Sequence, residues 1–470
     1  MKTECNGNEY KFQELGRRSV VANFSGGKIT SDGGGLLLRE VEERRNIIEG
    51  FAKCFRDYRD ARTVEHTVRE LVAQRVYGIA LGYEDLNDHD SLRHDPLLAV
   101  LVGKEDPSGE SRTRERDRGK ALAGKSTLNR LELNKGRLEE RERYKKIVLD
   151  EKAAERVIVE FYLDAHKEAP ERIVLDLDAT DDLIHGKQEG RFFHGYYGNY
   201  CYLPLYIFAG DHLLAAKLRR SNIDASAGSV EELERVIGQI RERWEAVEIV
   251  VRGDSGFCRE ELMAWCEENK VEYVLGLAKN ERLKKEIEGE MEEAKAAYER
   301  TGKEAREFKD FRYRTLESWS RERRVVGKAE HLAKGANPRF VVTSLKKEEY
   351  GAKQLYEKEY CGRGEMENRI KEQQLDLFAD RTSTATMRAN QLRLWFSSMA
   401  YVLMSELRRT GLKGTEMERA QSGTIRTRLL KIGAQVKISV RRVMIAMASG
   451  CPYAGVFEQA LANVRQMAPI

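Results

Sequence analysis

Short apolar runs separated by turn residues occupy the middle of the chain, and they predict a sheet. Three runs, at 172–179, 200–209 and 213–219, are rich in Ile, Val, Leu and aromatic residues, which is typical of buried strands. Gly210-Asp211 lies between the second and third runs and indicates a hairpin. The spacing of apolar residues beyond them predicts a helix, a strand, a helix and a strand, at 229–246, 248–252, 259–269 and 271–277.

A further helix must pack on such a sheet, and the chain supplies it after an interruption. Residues 280–302 have a highly charged helical pattern, and three strand-like segments follow at 311–315, 324–329 and 339–345. Helical periodicity returns after these segments, at 365–378 and 387–409. The order of elements predicts a mixed α/β fold, in which a ribonuclease-H-like catalytic domain is interrupted by an all-β insertion.

The flanking regions differ in character from this centre. A Gly-rich patch near residue 30 precedes helical patterns at 35–45 and 63–79, which predicts a helical N-terminal DNA-binding domain. A helix is expected from about 137 to 166, and the C-terminal region is expected to be helical. The predicted order begins with the DNA-binding domain (1–105), a linker with a helix (106–170) and the first part of the core (171–278). A β-rich insertion with a charged helix (279–346), the second part of the core (347–410) and a basic C-terminal region (411–470) follow.

Composition changes this picture chiefly through the distribution of charge. The 470 residues include 82 Lys and Arg against 78 Asp and Glu, so the net charge is only +4. Residues 381–470, however, contain 14 basic and 4 acidic residues, which favours a polyanion such as DNA, although a solvated basic face is the alternative. Seven widely spaced cysteines without a C-x-x-C pair argue against a disulfide framework or a zinc site. No apolar run is long enough for a membrane span, and we expect a cytoplasmic protein.

Two aspartates stand where predicted strands end. Asp178 lies near the end of the first strand, and Asp254 follows the fourth within Arg252-Gly253-Asp254. These strands are neighbours in a ribonuclease-H-like sheet, so the two carboxylates should converge at one edge. Hard oxygen ligands of this kind suit Mg²⁺, and two such ions can promote phosphodiester cleavage. A single aspartate at a strand end is more often a turn or helix cap, but a pair on the correct strands is not.

A third carboxylate is expected on the helix near residue 367. Tyr360, Arg363, Glu367, Lys371 and Gln374 are spaced by 3, 4, 4 and 3 residues, which places them on one helical face. The acid could complete a metal site, and the bases one turn away could bind phosphates. The alternative is an ordinary helix surface with ion pairs between neighbouring turns.

The spacing Tyr-x-x-Arg-x-x-x-Glu resembles the signature of a large group of insertion-sequence transposases, which carry an all-β insertion before the catalytic glutamate. The segments VVRGDSGF, YVLGLAKNERL and RGEMENRIKEQQLDLFADRTS are similar to insertion-sequence family 1380. The resemblance extends from about Phe24 to the C-terminus. It implies a catalytic, metal-binding triad of Asp178, Asp254 and Glu367, with Asp176 as the alternative first member.

The resemblance also implies the cofactor and the DNA contacts. Mg²⁺ is the expected metal, and Mn²⁺ should substitute for it. Tyr360, Arg363 and Lys371 would hold phosphates at the transposon end. The signature normally continues with a lysine seven residues after the glutamate, where this chain has Gln374, so the phosphate contacts there are open.

Cut-and-paste transposition of bacterial DNA is the activity that the resemblance implies. The partners would be double-stranded terminal inverted repeats and target DNA, bound by a homodimer in a synaptic complex. Cleavage through a DNA hairpin needs a flipped base, for which Trp319 is the candidate stacking residue, although a tryptophan in the core is the alternative. Two other functions stay open: another ribonuclease-H-like nuclease, and a domesticated DNA-binding protein without catalysis.

Overall fold

The computed structural model describes residues 9–133 and 145–468, which form two compact units. The first unit comprises the described part of Met1–Val148 and of Leu403–Ile470, and the second is Leu149–Val402. The first part of the helix predicted from about 137 lies outside the described residues. The described remainder begins with a strand at Ile147–Leu149, where the prediction of a helix is wrong, and a helix follows only at Glu151–Asp164, whose N-terminus is capped by the Asp150 side chain.

Short helices and short strands build the N-terminal part of the first unit. The helical domain predicted there therefore also contains strands. The strands are β1 Tyr10–Leu15, β2 Arg18–Ala22, β3 Ile29–Thr30, β4 Phe55–Asp57 and β5 Ile147–Leu149. The helices are α1 Leu36–Arg45, α2 Ile47–Ala52, α3 Val68–Ala80, α4 His89–Leu92, α5 Pro96–Val102 and α6 Lys125–Glu132.

The second unit alternates strands and helices around a large sheet. Its strands are β6 Arg172–Ala179, β7 Asp182–Leu183, β8 Phe192–His194, β9 Asn199–Tyr202, β10 Leu205–Ala209, β11 His212–Lys217, β12 Glu248–Gly253, β13 Glu272–Leu277, β14 Ala305–Tyr313, β15 Arg323–Leu332, β16 Gly335–Ala336 and β17 Arg339–Thr343. Its helices are α7 Glu151–Asp164, α8 Ser229–Arg243, α9 Glu260–Glu268, α10 Glu281–Glu286, α11 Glu288–Thr301, α12 Ala352–Gln354, α13 Gly364–Lys371 and α14 Met387–Glu406, the last of which continues into the first unit.

The C-terminal region contains a hairpin as well as helices, which differs from the helical region that we predicted. Its elements are α15 Ser422–Ile425, β18 Ala434–Ser439, β19 Arg442–Met447 and α16 Ala454–Arg465. The residues of β18 and β19 alternate between β-branched and other side chains, a pattern with period two that specifies strands. The alternation is short, so the helical segments on either side dominated the prediction.

The large sheet has the order β11-β10-β6-β12-β13-β17-β15-β14, with β16 paired to β15. The central strands β6, β12 and β13 are parallel. Strand β10 runs antiparallel to β6, and β11 runs antiparallel to β10. The strands that we assigned to an insertion extend this same sheet, because β17 pairs antiparallel with β13. Apolar residues on both strands, such as Leu275 opposite Val342, are buried and make this pairing favourable.

Each face of the sheet packs on its own apolar cluster. In β6, Ile173, Leu175 and Leu177 point to one face, where they pack with apolar residues of α7, α8 and α9. Val174 points to the opposite face, whose cluster includes Val250, Val274, Leu355 and Tyr356. Because side chains in a strand alternate between faces, Asp176 and Asp178 lie on the same face as Val174.

Within the described residues, no helix combines the length and the apolar character that a membrane crossing requires.

Candidate active site

The register of two parallel strands brings the first two predicted carboxylates to one edge of the sheet. Asp176 of β6 is paired with Arg252 of β12, and Leu177 is paired with Gly253. β12 ends at Gly253, and Asp254 follows it close enough to Asp178 that its negative charge helps to raise the pKa of the Asp178 carboxyl. An opposite-charge pair on the two strands is thus followed by two acids near the end of β12. Like charges that lie close together repel each other.

A helical stretch at 352–376 packs on this face and supplies the third carboxylate. It begins with α12 and continues through wide π-helical turns at Leu355–Tyr360 and a tight 3₁₀ turn at Cys361–Arg363 before α13. Leu355 and Tyr356 anchor its start in the apolar cluster of the sheet. Met366 and Ile370 of α13 are also buried, so Arg363 and Glu367 occupy the part of the helix that faces the aspartates.

Tyr360 fits over a glycine of the neighbouring strand. A Cβ atom at Gly276 of β13 would lie 2.6 Å from the Tyr360 hydroxyl and 2.9 Å from the backbone nitrogen of Ser255. Only glycine therefore leaves room for the phenol next to the segment that follows Asp254. Burial raises the pKa of the Tyr360 hydroxyl, so this group remains a neutral hydrogen-bond donor.

Arg363 is the cation at the centre of the site. Its guanidinium lies 3.6 Å from the Asp178 carboxylate and 3.0 Å from that of Glu367, which is one helical turn away. Burial acts to lower the pKa of Arg363, but the charges of Asp178 and Glu367 outweigh it and raise this pKa. The structure thus brings together five of the predicted site residues: the three acids, Arg363 and Tyr360.

Asp178 is the electrostatically strained member of the group. Burial raises its pKa to about 6, and the charges of Asp254 and Glu367 act in the same direction. The Arg363 guanidinium and the backbone amide of Ala179 oppose this shift without cancelling it. A shift of this kind, caused by burial together with neighbouring like charges, is typical of functional carboxylates.

Asp176, our alternative first carboxylate, has a different role in the structure. Its two oxygens accept hydrogen bonds from Nε and Nη2 of Arg252, the latter at 2.7 Å. Nη1 of the same arginine donates to the backbone carbonyl of Glu359 at 2.5 Å. A Cβ atom at Gly362 would lie 2.5 Å from this guanidinium, so the glycine permits the close approach. We call Asp176 and Arg252 the clamp pair, because they tie the sheet to the helical stretch before Arg363.

Sequence reasoning did not identify Arg252 or Gly276. The clamp pair follows from the same strand register that brings Asp178 near Asp254, so a register assigned from the sequence would have revealed Arg252. Gly276 carries no such signal, because the need for a small residue appears only when Tyr360 is placed above the strand.

The two remaining positions of the predicted helical face diverge. Lys371 is exposed at the end of α13. Gln374 instead donates from Nε2 to the carboxylate of Asp182 at 2.9 Å and to the carbonyl of Asp181 at 3.3 Å. Burial raises the pKa of Asp182 to about 8. The glutamine thus supports a buried acid, which is a structural reason for its presence where the family signature has lysine.

Trp319 lies in the core rather than beside the acids. The residue is 3% exposed, its ring meets that of Tyr313 edge to face at 5.8 Å, and Arg323 lies over it. No face of the indole is open for a base in this arrangement, so burial argues against the stacking role that we expected.

Exposed aromatic side chains lie instead on a small sheet that follows β6. Strands β7, β9 and β8 form this sheet, and the hydroxyl of Tyr197 lies 3.3 Å from the carbonyl oxygen of Ala179, next to Asp178. Phe193, Tyr196 and Tyr200 are exposed, Tyr196 to 86%. We call residues 192–200 the aromatic flap.

The acids fit a divalent metal ion in donor type and charge. Among the residues described, no group of three His, Cys, Asp or Glu side chains surrounds one metal-sized point, because Arg363 lies between Asp178 and Glu367. Their donors are nevertheless all carboxylate oxygens, which hard cations prefer. The repulsion that raises the pKa of Asp178 is also the interaction that a bound cation would relieve.

Comparison with known sequences agrees with this geometry. The sequence model of the family described as transposase DDE domain, group 1, matches residues 12–469, nearly the whole chain. The chain belongs to the DDE transposases. None of the curated proteins compared with it matches. Membership implies an enzyme that cuts and joins DNA, and DDE transposases generally use divalent metal ions.

Neutralising Asp178 should stabilise the metal-free transposase at neutral pH. The pKa of the Asp178 carboxyl is about 6 in the folded protein and 3.8 ordinarily, so ionisation of this group lowers the stability of the fold. The loss of stability grows as the pH rises between these two values and then levels off. The full cost corresponds to on the order of 3 kcal/mol. In urea unfolding with a chelator, Asp178→Asn should raise the free energy of unfolding at about pH 7.5. At about pH 5 the increase should be roughly half as large. Glu365→Gln, on an exposed acid of α13, should change little; an Asp178→Asn protein no more stable than the parent would contradict this account.

The clamp pair should behave as one energetic unit. Arg252→Gln leaves the buried Asp176 carboxylate without its partner and should lower the free energy of unfolding by about 3–5 kcal/mol. The double variant Asp176→Asn/Arg252→Gln removes the unpaired charge and should lose clearly less than the sum of the two single changes. Additive losses in urea unfolding would show that the two side chains do not interact.

Proposed function

We propose that this DDE transposase has a ribonuclease-H-like catalytic domain and belongs to insertion-sequence family 1380, with Asp178, Asp254 and Glu367 as its catalytic triad. The observation that carries the proposal is the convergence of these acids around Arg363 at the edge of the parallel strands. The strand order β11-β10-β6-β12-β13, with β10 antiparallel to both neighbours, supports the ribonuclease-H-like assignment.

The three carboxylates would hold divalent ions, Mg²⁺ with Mn²⁺ as a substitute. When bound, these ions activate the attacking oxygen and stabilise the leaving oxygen of a phosphodiester. The oxygen-only donor set supports Mg²⁺ over a softer metal. Asp178 must be ionised to act as a ligand, and its pKa of about 6 allows this at neutral pH.

The basic and phenolic side chains of the helix would bind the DNA that is cut. Arg363 carries a planar guanidinium suited to a phosphate, and a bound phosphate would take over from the carboxylates that neutralise it now. The neutral Tyr360 hydroxyl can donate a hydrogen bond to the same backbone, and exposed Lys371 adds a positive charge one turn beyond Glu367. These side chains position the phosphodiester and are not themselves proton acceptors.

Cleavage would begin with water at the transposon end. The water oxygen forms a bond to phosphorus, the bond from phosphorus to the 3′ oxygen breaks, and that oxygen leaves as a 3′-hydroxyl. The hydroxyl oxygen then forms a bond to a phosphorus of the opposite strand, whose bond to the 3′ oxygen of the flanking DNA breaks, and the product is a hairpin. Water hydrolyses the hairpin to free the 3′-hydroxyl again, before that hydroxyl displaces a 3′ oxygen of the target DNA. An unpaired base in the hairpin needs a stacking partner, and the exposed aromatic flap beside Asp178 suits this role better than buried Trp319.

The partners follow from this chemistry. Transposase bound to both terminal inverted repeats would form a homodimer in a synaptic complex, before it engages target DNA. The enzyme would act on the bacterial nucleoid, in the cytoplasm. The acids that a nuclease requires are all present at the site, which favours an active enzyme over a domesticated DNA-binding protein.

Cleavage of a labelled duplex that carries the element's own ends tests the proposal. We expect wild-type protein with Mg²⁺ or Mn²⁺ to cut at the ends and to join them to a second duplex, which a nuclease without transposase activity would not do. We expect three variants to bind DNA but to cut it far more slowly: Asp178→Asn, Asp254→Asn and Glu367→Gln. Each loss of cleavage rate should exceed the roughly 10–100-fold that is typical when a residue only supports a metal ligand.

Glu365→Gln is the matched control, because it removes a carboxylate from the same helix two residues from Glu367. It should cut at nearly the wild-type rate. Cleavage that persists in all three triad variants would overturn the proposed site. DNA binding without cleavage by the wild type would instead favour the domesticated protein.

A further inference from the structure

The hairpin of β18 and β19 projects from the first unit. Its base is held to β3 through pairing of Ala434 with Thr30 and Gln435 with Ile29, and Val436 donates a backbone hydrogen bond to Lys28 at 2.8 Å. The eight residues from Lys437 to Met444 beyond this base are all exposed. We call residues 437–444 the arm; its paired strands extend about 13 Å at 3.4 Å per residue.

The arm carries positive charge and no negative charge. Lys437, Arg441 and Arg442 lie on it, and none of the three is engaged in an ion pair with any residue that the structure describes. The surrounding sequence reinforces this bias: Arg419–Phe457 contains seven basic residues and no acidic residue in 39 positions. Such a stretch is unusual in a chain that is one-third charged with nearly equal signs.

The arm also exposes apolar side chains that need a partner. Val440 is fully exposed at the turn, where Asn or Gly would be the ordinary residue, and Ile438, Val443 and Met444 are exposed along the strands. A two-stranded hairpin is marginally stable by itself in water, so its conformation would be reinforced by a surface that covers it.

We infer that the arm is a DNA-binding element that lies in a groove of the duplex, with its basic residues on the flanking phosphates. A two-stranded β-ribbon fits the major groove of B-form DNA, and the three unpaired cations match the charge of the backbone. A second copy of the chain is the competing partner. A two-fold contact between arms would bring three positive charges against three others, which disfavours it.

This inference rests on the proposed function only in that the protein binds DNA. It concerns residues of the first unit and none of the triad, so it can be tested without metal or catalysis. The probe is a fluorescein-labelled duplex of about 30 base pairs of arbitrary sequence, titrated with full-length protein in a chelator, at about 50–200 mM KCl.

Charge removal on the arm should weaken binding and reduce its dependence on salt. We expect the triple variant Lys437→Gln/Arg441→Gln/Arg442→Gln to bind at least about tenfold more weakly, with the slope of log K against log salt concentration reduced by about 2–3. The exchange variant Lys437→Arg/Arg441→Lys/Arg442→Lys keeps the charge and should retain most of the binding. All three positions are exposed, and an unaltered melting temperature shows that each variant is folded.

The matched control removes one lysine and two arginines from exposed positions in the second unit. It is Arg300→Gln/Lys303→Gln/Arg312→Gln, and it should bind within about twofold of wild type. Equal losses in the arm variant and this control would overturn the inference, because net charge alone would then explain the effect.

The remaining outcomes are also decisive. An arm variant that binds the duplex like wild type overturns the inference and leaves the proposed catalytic function intact. If that variant also changes from dimer to monomer in light scattering, the arm binds a second copy rather than DNA. A wild-type protein that does not bind this duplex overturns the inference, and cleavage of a duplex that carries the element's own ends then decides the proposed function separately.

Discussion

The parallel register of β6 and β12 is the constraint on which the site depends. It aligns Asp176 with Arg252, and it brings Asp254, which follows the end of β12, near Asp178, so that a pair of opposite charges adjoins a pair of like charges. The first pair holds the helical stretch against the sheet through the Glu359 carbonyl. The second pair creates the excess of negative charge that Arg363 partly neutralises and that a divalent cation would neutralise further.

This arrangement connects the fold to its function through electrostatics. A partly buried like-charge pair lowers stability, and a fold retains it only when the rest of the structure provides enough apolar burial. The clusters on both faces of the sheet supply that burial. Arg363 can exchange one set of anionic partners for another, because carboxylates and phosphates accept the same hydrogen bonds from a guanidinium. Binding of DNA and binding of metal are therefore expected to favour each other.

The sequence predicted the parts of the structure that depend on local patterns. Short apolar runs located β6 and β12, and helical spacing placed Arg363 and Glu367 on one face. It could not predict that β17 pairs with β13, because pairing between distant strands is decided by tertiary packing. For the same reason the burial of Trp319, the partner of Gln374 and the room above Gly276 emerged only from the structure. The residues that form the triad were named from sequence, and their roles remain a proposal.

Calorimetric titration of Mn²⁺ into the full chain without DNA tests the central claim most directly. If Asp178 and Asp254 form a cation site, wild-type protein will bind Mn²⁺, while Asp178→Asn and Asp254→Asn will each bind it much more weakly. The control variant Glu365→Gln, which removes an exposed carboxylate from α13, should bind like wild type. Equal Mn²⁺ affinity in the wild type and in both aspartate variants would contradict the account.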